Sequence, residues 1–315
     1  VNWNPAALPS ASGKTAVVTG ANAGIGYFAS EQLARAGAHV VLACRDPERA
    51  EAAVSAIRRR VPGASVEAMP LEVTDRASVD EAAAALLDRE RVDLLILNAG
   101  IVHPPSKRAT DAYGNELVLA TNVLGHFRLT ALALPVLERT TDSRVISLGS
   151  LATRLARFPL DDLQLSGSYD AWTAYARSKI ALQVFGFELD RRLRQAGSGV
   201  SALVAHPGYS TSGRTPGVRG VNQPSRLKRF ADNLQSGWTQ GKDRGAWPVV
   251  RAALDPDAVG GQYFGPRQVT RGAPAVVGAT RTTRSARVGA RLWPLLEEFS
   301  DQPFAVPRPE SGSRG

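Results

Sequence analysis

Through the first 210 residues, short and almost wholly apolar runs alternate with longer amphipathic stretches. The runs at 15–19, 39–43, 65–71, 92–97, 144–148 and 200–205 predict strands. The stretches at 25–36, 47–60, 76–88, 115–138 and 173–195 predict helices. Strands this apolar have no solvent face, so the pattern predicts an α/β fold, a doubly wound parallel sheet with helices on both faces. Two helix ends are written in local chemistry. Asp46-Pro47-Glu48 offers an N-cap, a proline at the first helical position and an acid at the positive end of the dipole. Arg58, Arg59 and Arg60 lie against the carbonyl end of that helix, and Pro62-Gly63 stops it.

After residue 207 the pattern loosens. Residues 208–245 are rich in Gly, Pro, Ser, Arg and Asn and too long for an ordinary connection, which predicts a lid. A helix at 245–254, a short strand with a turn at 261–266 and a final helix at 285–299 follow, then a frayed tail at 301–315. One domain is expected, with its core at 12–207, the lid at 208–245 and C-terminal elements at 246–300.

Composition narrows the class. The single cysteine, Cys44, excludes a disulfide framework and a thiolate metal cluster, and the four histidines lack metal-ligand spacing, so no metal is expected. No apolar run approaches the roughly 20 residues that span a bilayer. Val1-Asn2-Trp3-Asn4-Pro5 has neither the basic start nor the apolar core of a signal peptide. A soluble, reduced, cytoplasmic protein is expected. Of 38 basic residues only five are lysines, and the net charge of +9 is uneven. Residues 1–210 carry 22 basic and 21 acidic side chains, whereas residues 211–315 carry 16 and 8. A basic end on a neutral body suits nucleic acid, an anionic membrane or merely a solvated surface.

Chemistry concentrates at the ends of the expected strands. Thr19-Gly20-Ala21-Asn22-Ala23-Gly24-Ile25-Gly26 joins the first strand to the first helix. Small residues there let backbone amides and a helix N-terminus reach a pyrophosphate, as in a Rossmann-type sheet. At the end of the second strand, where an acid would hold a ribose 2′-hydroxyl, stand Cys44 and Arg45. A guanidinium with no carboxylate to repel a 2′-phosphate favours NADP(H) over NAD(H). Tyr175 and Lys179 are four apart and share a helix face. An ammonium about 4 Å from a phenol contributes roughly 4 kcal/mol, which lowers the tyrosine by about three pKa units into a useful range for proton transfer. Ser150 follows the fifth strand, Asn98-Ala99-Gly100 ends the fourth, and Asn122 stands mid-helix, where asparagine is unfavourable without a local task.

Together these residues resemble the short-chain dehydrogenase/reductase family over residues 12–266. The carriers are TGxxxGxG at 19–26, NAG at 98–100, Asn122, Ser150, YxxxK at 175–179 and Pro207-Gly208. Within the family, ACRD at 43–46, the segment 121–127 and the interval between Ser150 and Tyr175 resemble the retinol dehydrogenase and protochlorophyllide reductase-like branch. The resemblance implies that Tyr175 is the general acid/base, that Lys179 lowers its pKa and binds the nicotinamide ribose, and that Ser150 polarises the carbonyl. It implies that Asn122 holds a water relaying protons to Lys179. Gly20, Asn22, Ala23, Gly24, Ile25 and Gly26 would cradle the dinucleotide. Asn98, Ala99 and Gly100 would line its adenosine side, and Pro207-Gly208 would pack by the nicotinamide. Glu72 and Val73 stand where the family contacts adenine, with Glu in place of the usual Asp. The family's threonine after Pro-Gly corresponds to Thr211 or Ser212.

The expected function is NADP(H)-dependent interconversion of a carbonyl and an alcohol on a small-molecule substrate. Phe158, Tyr169, Trp172, Tyr209 and Trp238 fall in segments that would wall the pocket, which suits a bulky apolar substrate. The alternatives are a catalytically silent NADP sensor of the same fold, or a reductase that also meets anionic membranes through its basic C-terminal third. A stripe at 281–293 is the candidate for that contact. No nucleic-acid partner or transmembrane segment is expected, and a homo-oligomer is possible.

Overall fold

The computed structural model describes residues 3–306. The first half builds β1 (Thr15–Thr19), α1 (Gly24–Arg35), β2 (His39–Cys44), α2 (Pro47–Arg60), β3 (Val66–Pro70), α3 (Arg76–Leu87) and β4 (Leu94–Leu97). Next come α4 (Leu117–Leu119), a π turn (Ala120–Leu124), α5 (Gly125–Glu138), β5 (Arg144–Leu148), a 3-10 turn (Leu151–Arg154), α6 (Ala171–Ala196) and β6 (Ser201–Ala205). The remainder is β7 (Ser210–Thr211), α7 (Arg226–Leu234), β8 (Gln240–Gly241), α8 (Lys242–Gly245), α9 (Trp247–Leu254), β9 (Tyr263–Pro266), β10 (Pro274–Val276), α10 (Arg281–Arg284) and α11 (Ala286–Ser300).

The main sheet runs β10-β9-β6-β5-β4-β1-β2-β3, parallel throughout except for β10, which pairs antiparallel with β9. The order reverses between β1 and β4, where Val18 lies between Leu42 and Ile96. Two parallel strands whose chains leave in opposite directions open a crevice at their carboxyl ends, and that crevice positions the site. One face of the sheet is covered by α3, α5, α6 and α11, the other by α1, α2 and α9. The expected doubly wound sheet is therefore present, with an antiparallel edge strand that periodicity did not foretell.

The local signals explain most boundaries. Asp46 accepts a hydrogen bond from Arg49 N at 3.1 Å, and Pro47 opens α2. Asp170 caps α6 through Thr173 N, and Gly197 ends it in the left-handed region at φ 74°. The stretch expected as one helix at 115–138 is instead broken into α4, the π turn and α5. The Gly125 amide bonds the Ala120 carbonyl five residues back, and inside that turn the Asn122 carbonyl accepts from His126 Nδ1 at 3.2 Å. By length and composition Leu117–Glu138 could cross a bilayer, contrary to the expectation from the sequence, but 72% of the apolar window is buried inside the fold.

Two expectations for the C-terminal third need correction. The segment 208–245, expected as a lid and read without elements of its own, holds short ones: β7 and β8 pair in parallel, and α7 and α8 lie within it. Nor does the chain fray at 301. Phe304 is 2% exposed and packs its ring edge-on or tilted against Phe127, Phe185 and Trp293, with centroid separations of 5.2, 6.4 and 5.0 Å. The last nine residues of the expected tail, 307–315, and residues 1–2 lie outside the described residues. Many C-terminal arginines hold loop carbonyls: Arg214 and Arg271 bond the Ser236 carbonyl, Arg251 that of Pro274 and Arg284 that of Gly261.

Replacing Phe304 by Ala should lower the unfolding free energy by about 3 kcal/mol in denaturant titrations, the cost of emptying an aromatic core position. An unchanged midpoint would mean that this strap does not hold the core.

Candidate active site

At the reversal point the Thr19 hydroxyl joins three elements. Its Oγ1 accepts from Asn98 N and Ala99 N, both at 2.9 Å. His126 Nδ1 faces a carbonyl, so that nitrogen carries the proton, and Nε2 accepts from the Thr19 hydroxyl at 2.9 Å. Burial pushes the His126 pKa down to about 4, which keeps the imidazole neutral. The Asn98 amide donates to the Thr19 and Gly20 carbonyls. The glycine turn is thereby pressed on β4. A Cβ at Gly20, whose φ is +64°, would lie 2.8 Å from Ala99 Cα, and a Cβ at Gly26 would collide with the Asn98 amide.

This turn fits a dinucleotide. Ala23 precedes α1 without any side-chain cap, so the first amides of the helix are left for an outside acceptor. Asn22, Ala23, Gly24 and Ile25 are partly exposed along the turn. Lys242, at the start of α8, brings Nζ to within 3.9 Å of the Cβ position of Gly24. Among the described residues no hydrogen bond or ion pair of that ammonium is found, in contrast to the arginines around it. Nothing in the sequence spacing singles out Lys242.

The second cluster lies at the end of β5. The Tyr175 hydroxyl donates to Ser150 Oγ at 3.2 Å, and Ser150 Oγ also accepts from Ala152 N. One helical turn along, Lys179 is 4% exposed and donates from Nζ to the Leu148 carbonyl at 2.9 Å. A Cβ on Gly100 would lie 3.6 Å from that ammonium and 2.8 Å from Asn122 Oδ1, so the third residue of NAG admits only glycine's bulk. Asn122 clamps the cluster: Oδ1 accepts from Ile101 N at 2.7 Å, and Nδ2 donates to Ser178 Oγ at 2.8 Å. Gln183, which no motif marks, donates to the Ser150 carbonyl and to Tyr263 and packs under Gly149.

The electrostatics differ from the sequence expectation. Burial raises the Tyr175 pKa, and the Ser150 hydrogen bond opposes it only in part. Burial lowers Lys179 to about 8. The ammonium points to the Leu148 carbonyl and pays for its own desolvation, so a lowered phenol does not follow from the four-residue spacing.

The remaining residues flank these clusters. Arg45 is 78% exposed, and its Nη1 lies 3.3 Å from Glu72 Oε2. The expectation that no carboxylate stands near Arg45 is thus corrected. Glu72 also accepts from Thr74 N and Oγ1, so it closes the turn after β3. The carbonyl of Val73 meets Gly125 at the start of α5. Pro207 accepts from Ser210 Oγ and Gln240 Nε2, Gly208 packs on Thr270, and Thr211 is buried beside Asp232, while Ser212 is partly exposed. Of the aromatic residues expected to line a pocket, Phe158 packs on the main core and Tyr169 bonds the Pro105 carbonyl. Trp172, Tyr209 and Trp238 are 51%, 48% and 55% exposed, and the Trp172 ring lies 6.1 Å from that of Tyr175.

The comparisons with known proteins bear on the fold and the family. The family model described as short chain dehydrogenase matches residues 14–219. Human retinol dehydrogenase 13 is 42% identical over 212 residues, 66% of this chain and 63% of that protein, so the match spans less than two thirds of its length. Mouse polyprenol dehydrogenase is 34% identical over 93% of this chain and 85% of its own. A crystal structure of an uncharacterized protein from Mycobacterium Paratuberculosis covers 97% of this chain and 100% of that one, at 36% identity and a TM-score of 0.79. The Pseudomonas aeruginosa RhlG/NADP complex covers 81% of this chain and 95% of its own, at 25% identity and a TM-score of 0.61. A glycine turn locked to β4, and a tyrosine, a lysine and a serine gathered at the end of β5, thus sit in a chain that belongs to the short-chain dehydrogenase family, in its retinol dehydrogenase-like branch.

Proposed function

We propose that the protein is an NADP(H)-dependent oxidoreductase that interconverts a carbonyl and an alcohol on a bulky apolar substrate, with Tyr175 as general acid/base. The observation that carries this reading is the 3.2 Å bond from the Tyr175 hydroxyl to Ser150 Oγ, one helical turn from the buried Lys179 ammonium. A nicotinamide dinucleotide, when bound, supplies or accepts the hydride. The chain supplies position and a proton. Tyr175 and Ser150 orient the substrate oxygen between them, and a phenol held protonated by burial is suited to give its proton to an alkoxide. Lys179 offers its ammonium to a ribose, and Asn122 holds the loop after β4 against α6 beside it. Exposed Trp172 and Tyr209 suit a large apolar substrate, as do the names of the relatives, retinol and polyprenol dehydrogenases. Arg45 supports NADP(H), although Glu72 beside it shares its charge.

Tyr175→Phe removes the proton donor and should abolish carbonyl reduction while NADPH binding persists, as read by NADPH absorbance and by fluorescence titration. Near-normal turnover in that variant would sink the mechanism.

Arg45→Ala should weaken NADPH binding about tenfold and leave NADH unchanged, since only the former carries the 2′-phosphate. Lys242→Ala should weaken both by about the same factor, because a diphosphate is common to the two. Equal losses for both dinucleotides in the Arg45 variant would defeat the NADP(H) preference.

Lys179 links function to stability. Its pKa of about 8 lies below the ordinary 10.5, so between these values the unfolded chain binds more protons and stability rises with pH. Below pH 8 the full penalty applies. Lys179→Met should therefore raise stability at pH 7 by about 2 kcal/mol, after allowance for the lost Leu148 hydrogen bond, and abolish turnover. A destabilised variant in a denaturant titration would overturn this account.

A further inference from the structure

The stripe at 281–293 keeps Arg281, Arg284, Arg287 and Arg291 exposed but turns its apolar residues inward, so it offers charge without an apolar face. Leu292 and Trp293 are buried, Arg192 covers the Trp293 ring at 4.1 Å, and Arg291 lies 3.6 Å from Asp161. A different element presents an apolar face. On α7, Leu227, Phe230 and Leu234 recur at spacings of three and four and so share one side of the helix. They are 75%, 63% and 69% exposed, and Trp238 just beyond the helix is 55% exposed. The only buried residue of α7 is Asp232, on the opposite side. Its carboxylate accepts from Gly213 N at 2.7 Å and from Lys228 Nζ at 2.8 Å. The helix is fastened by its polar side and turns its apolar side to water, the reverse of a surface helix covering a core. Contiguous exposed apolar groups of this kind mark an interaction surface.

The neighbouring charge selects what covers it. Residues 212–241 hold five basic side chains and the single acid Asp232. Lys228 is paired with Asp232, while Arg214 and Arg229 lie against carbonyls. Arg219 and Arg226 remain exposed. A second copy docked about a twofold axis would bring these arginines toward their own like charges. An anionic lipid surface satisfies both features, with acyl chains for the apolar side and phosphates for the guanidinium groups. We propose that α7 docks the protein peripherally on anionic lipid surfaces, with Leu227, Phe230 and Leu234 entering the headgroup boundary and Arg219 and Arg226 meeting the phosphates. The docked element belongs to the segment that follows β6 at Gly208; resting on the function proposed above, such docking sets the enzyme on the lipid that holds an apolar substrate.

The test uses the full chain and vesicles of phosphatidylcholine, with and without phosphatidylglycerol. The chain should sediment with the phosphatidylglycerol vesicles only, and raised salt should release it. The variant Leu227→Ser/Phe230→Ser/Leu234→Ser should lower the vesicle-bound to free ratio about tenfold, and Arg219→Gln/Arg226→Gln should remove the preference for phosphatidylglycerol. These side chains are exposed, so circular dichroism and the thermal midpoint should stay as in the parent chain. No sedimentation of the parent chain with either vesicle, or undiminished sedimentation of the triple variant, would overturn the proposal. So would a dimer in sedimentation velocity that the triple variant abolishes, since the face would then belong to a second copy. None of these readouts depends on which dinucleotide the crevice takes.

Discussion

The Thr19 hydroxyl is the point on which the crevice depends. It accepts two backbone amides from the end of β4 and donates to the neutral His126, so its hydrogen-bonding capacity is filled inside the fold. Because the site is buried, leaving any of these groups unpaired costs about 1–3 kcal/mol. That penalty fixes the end of β1 against the end of β4 and against α5 at once. The glycine turn then has one course, close enough that a Cβ at Gly20 would touch Ala99. The uncapped start of α1 follows from this course, and so does the anion-binding character of the crevice.

Lys179 shows the opposing tendency. A buried ammonium is a poor choice for stability, and its pKa near 8 records the desolvation penalty. It persists because α6 carries Tyr175 and Lys179 on the same side, and the Leu148 carbonyl gives the ammonium one partner. The neighbours are arranged to hold it there. Gly100 leaves room for it, Asn122 clamps the loop after β4 to α6, and Gln183 supports the Ser150 turn from below. A cluster of this kind gathers ionisable groups shifted by burial at the one place where proton transfer is expected.

The basic C-terminal third illustrates how composition and structure divide the explanation. Sixteen basic side chains against eight acidic ones suggest an anionic partner when read as a total. In the fold, many of those arginines bond carbonyls in the long connections between short strands and helices. The guanidinium group is a multiple donor, and it satisfies backbone that regular ladders leave open. What remains for outside partners includes Lys242 at the glycine turn and the exposed Arg219 and Arg226 near α7.

The sequence by itself determined the doubly wound sheet, the helix cap at Asp46, and the placing of Gly20, Asn98, Ser150, Tyr175 and Lys179 as candidates at or near the strand ends. These are short-range or strand-end signals: apolar runs of fixed length, small residues at a turn, and motifs whose order follows the order of the strands. Only the tertiary structure decided what depends on burial and on distant neighbours. The Tyr175 phenol is raised rather than lowered because desolvation outweighs the Ser150 hydrogen bond, while the Lys179 ammonium turns to the Leu148 carbonyl. Arg45 has Glu72 beside it because two strand ends, 27 residues apart, meet. Phe304 enters the core, and Leu227, Phe230 and Leu234 do not, although all four are equally apolar in the chain. Hydrophobicity is a property of the residue, whereas its use is set by which surfaces the folded elements leave uncovered.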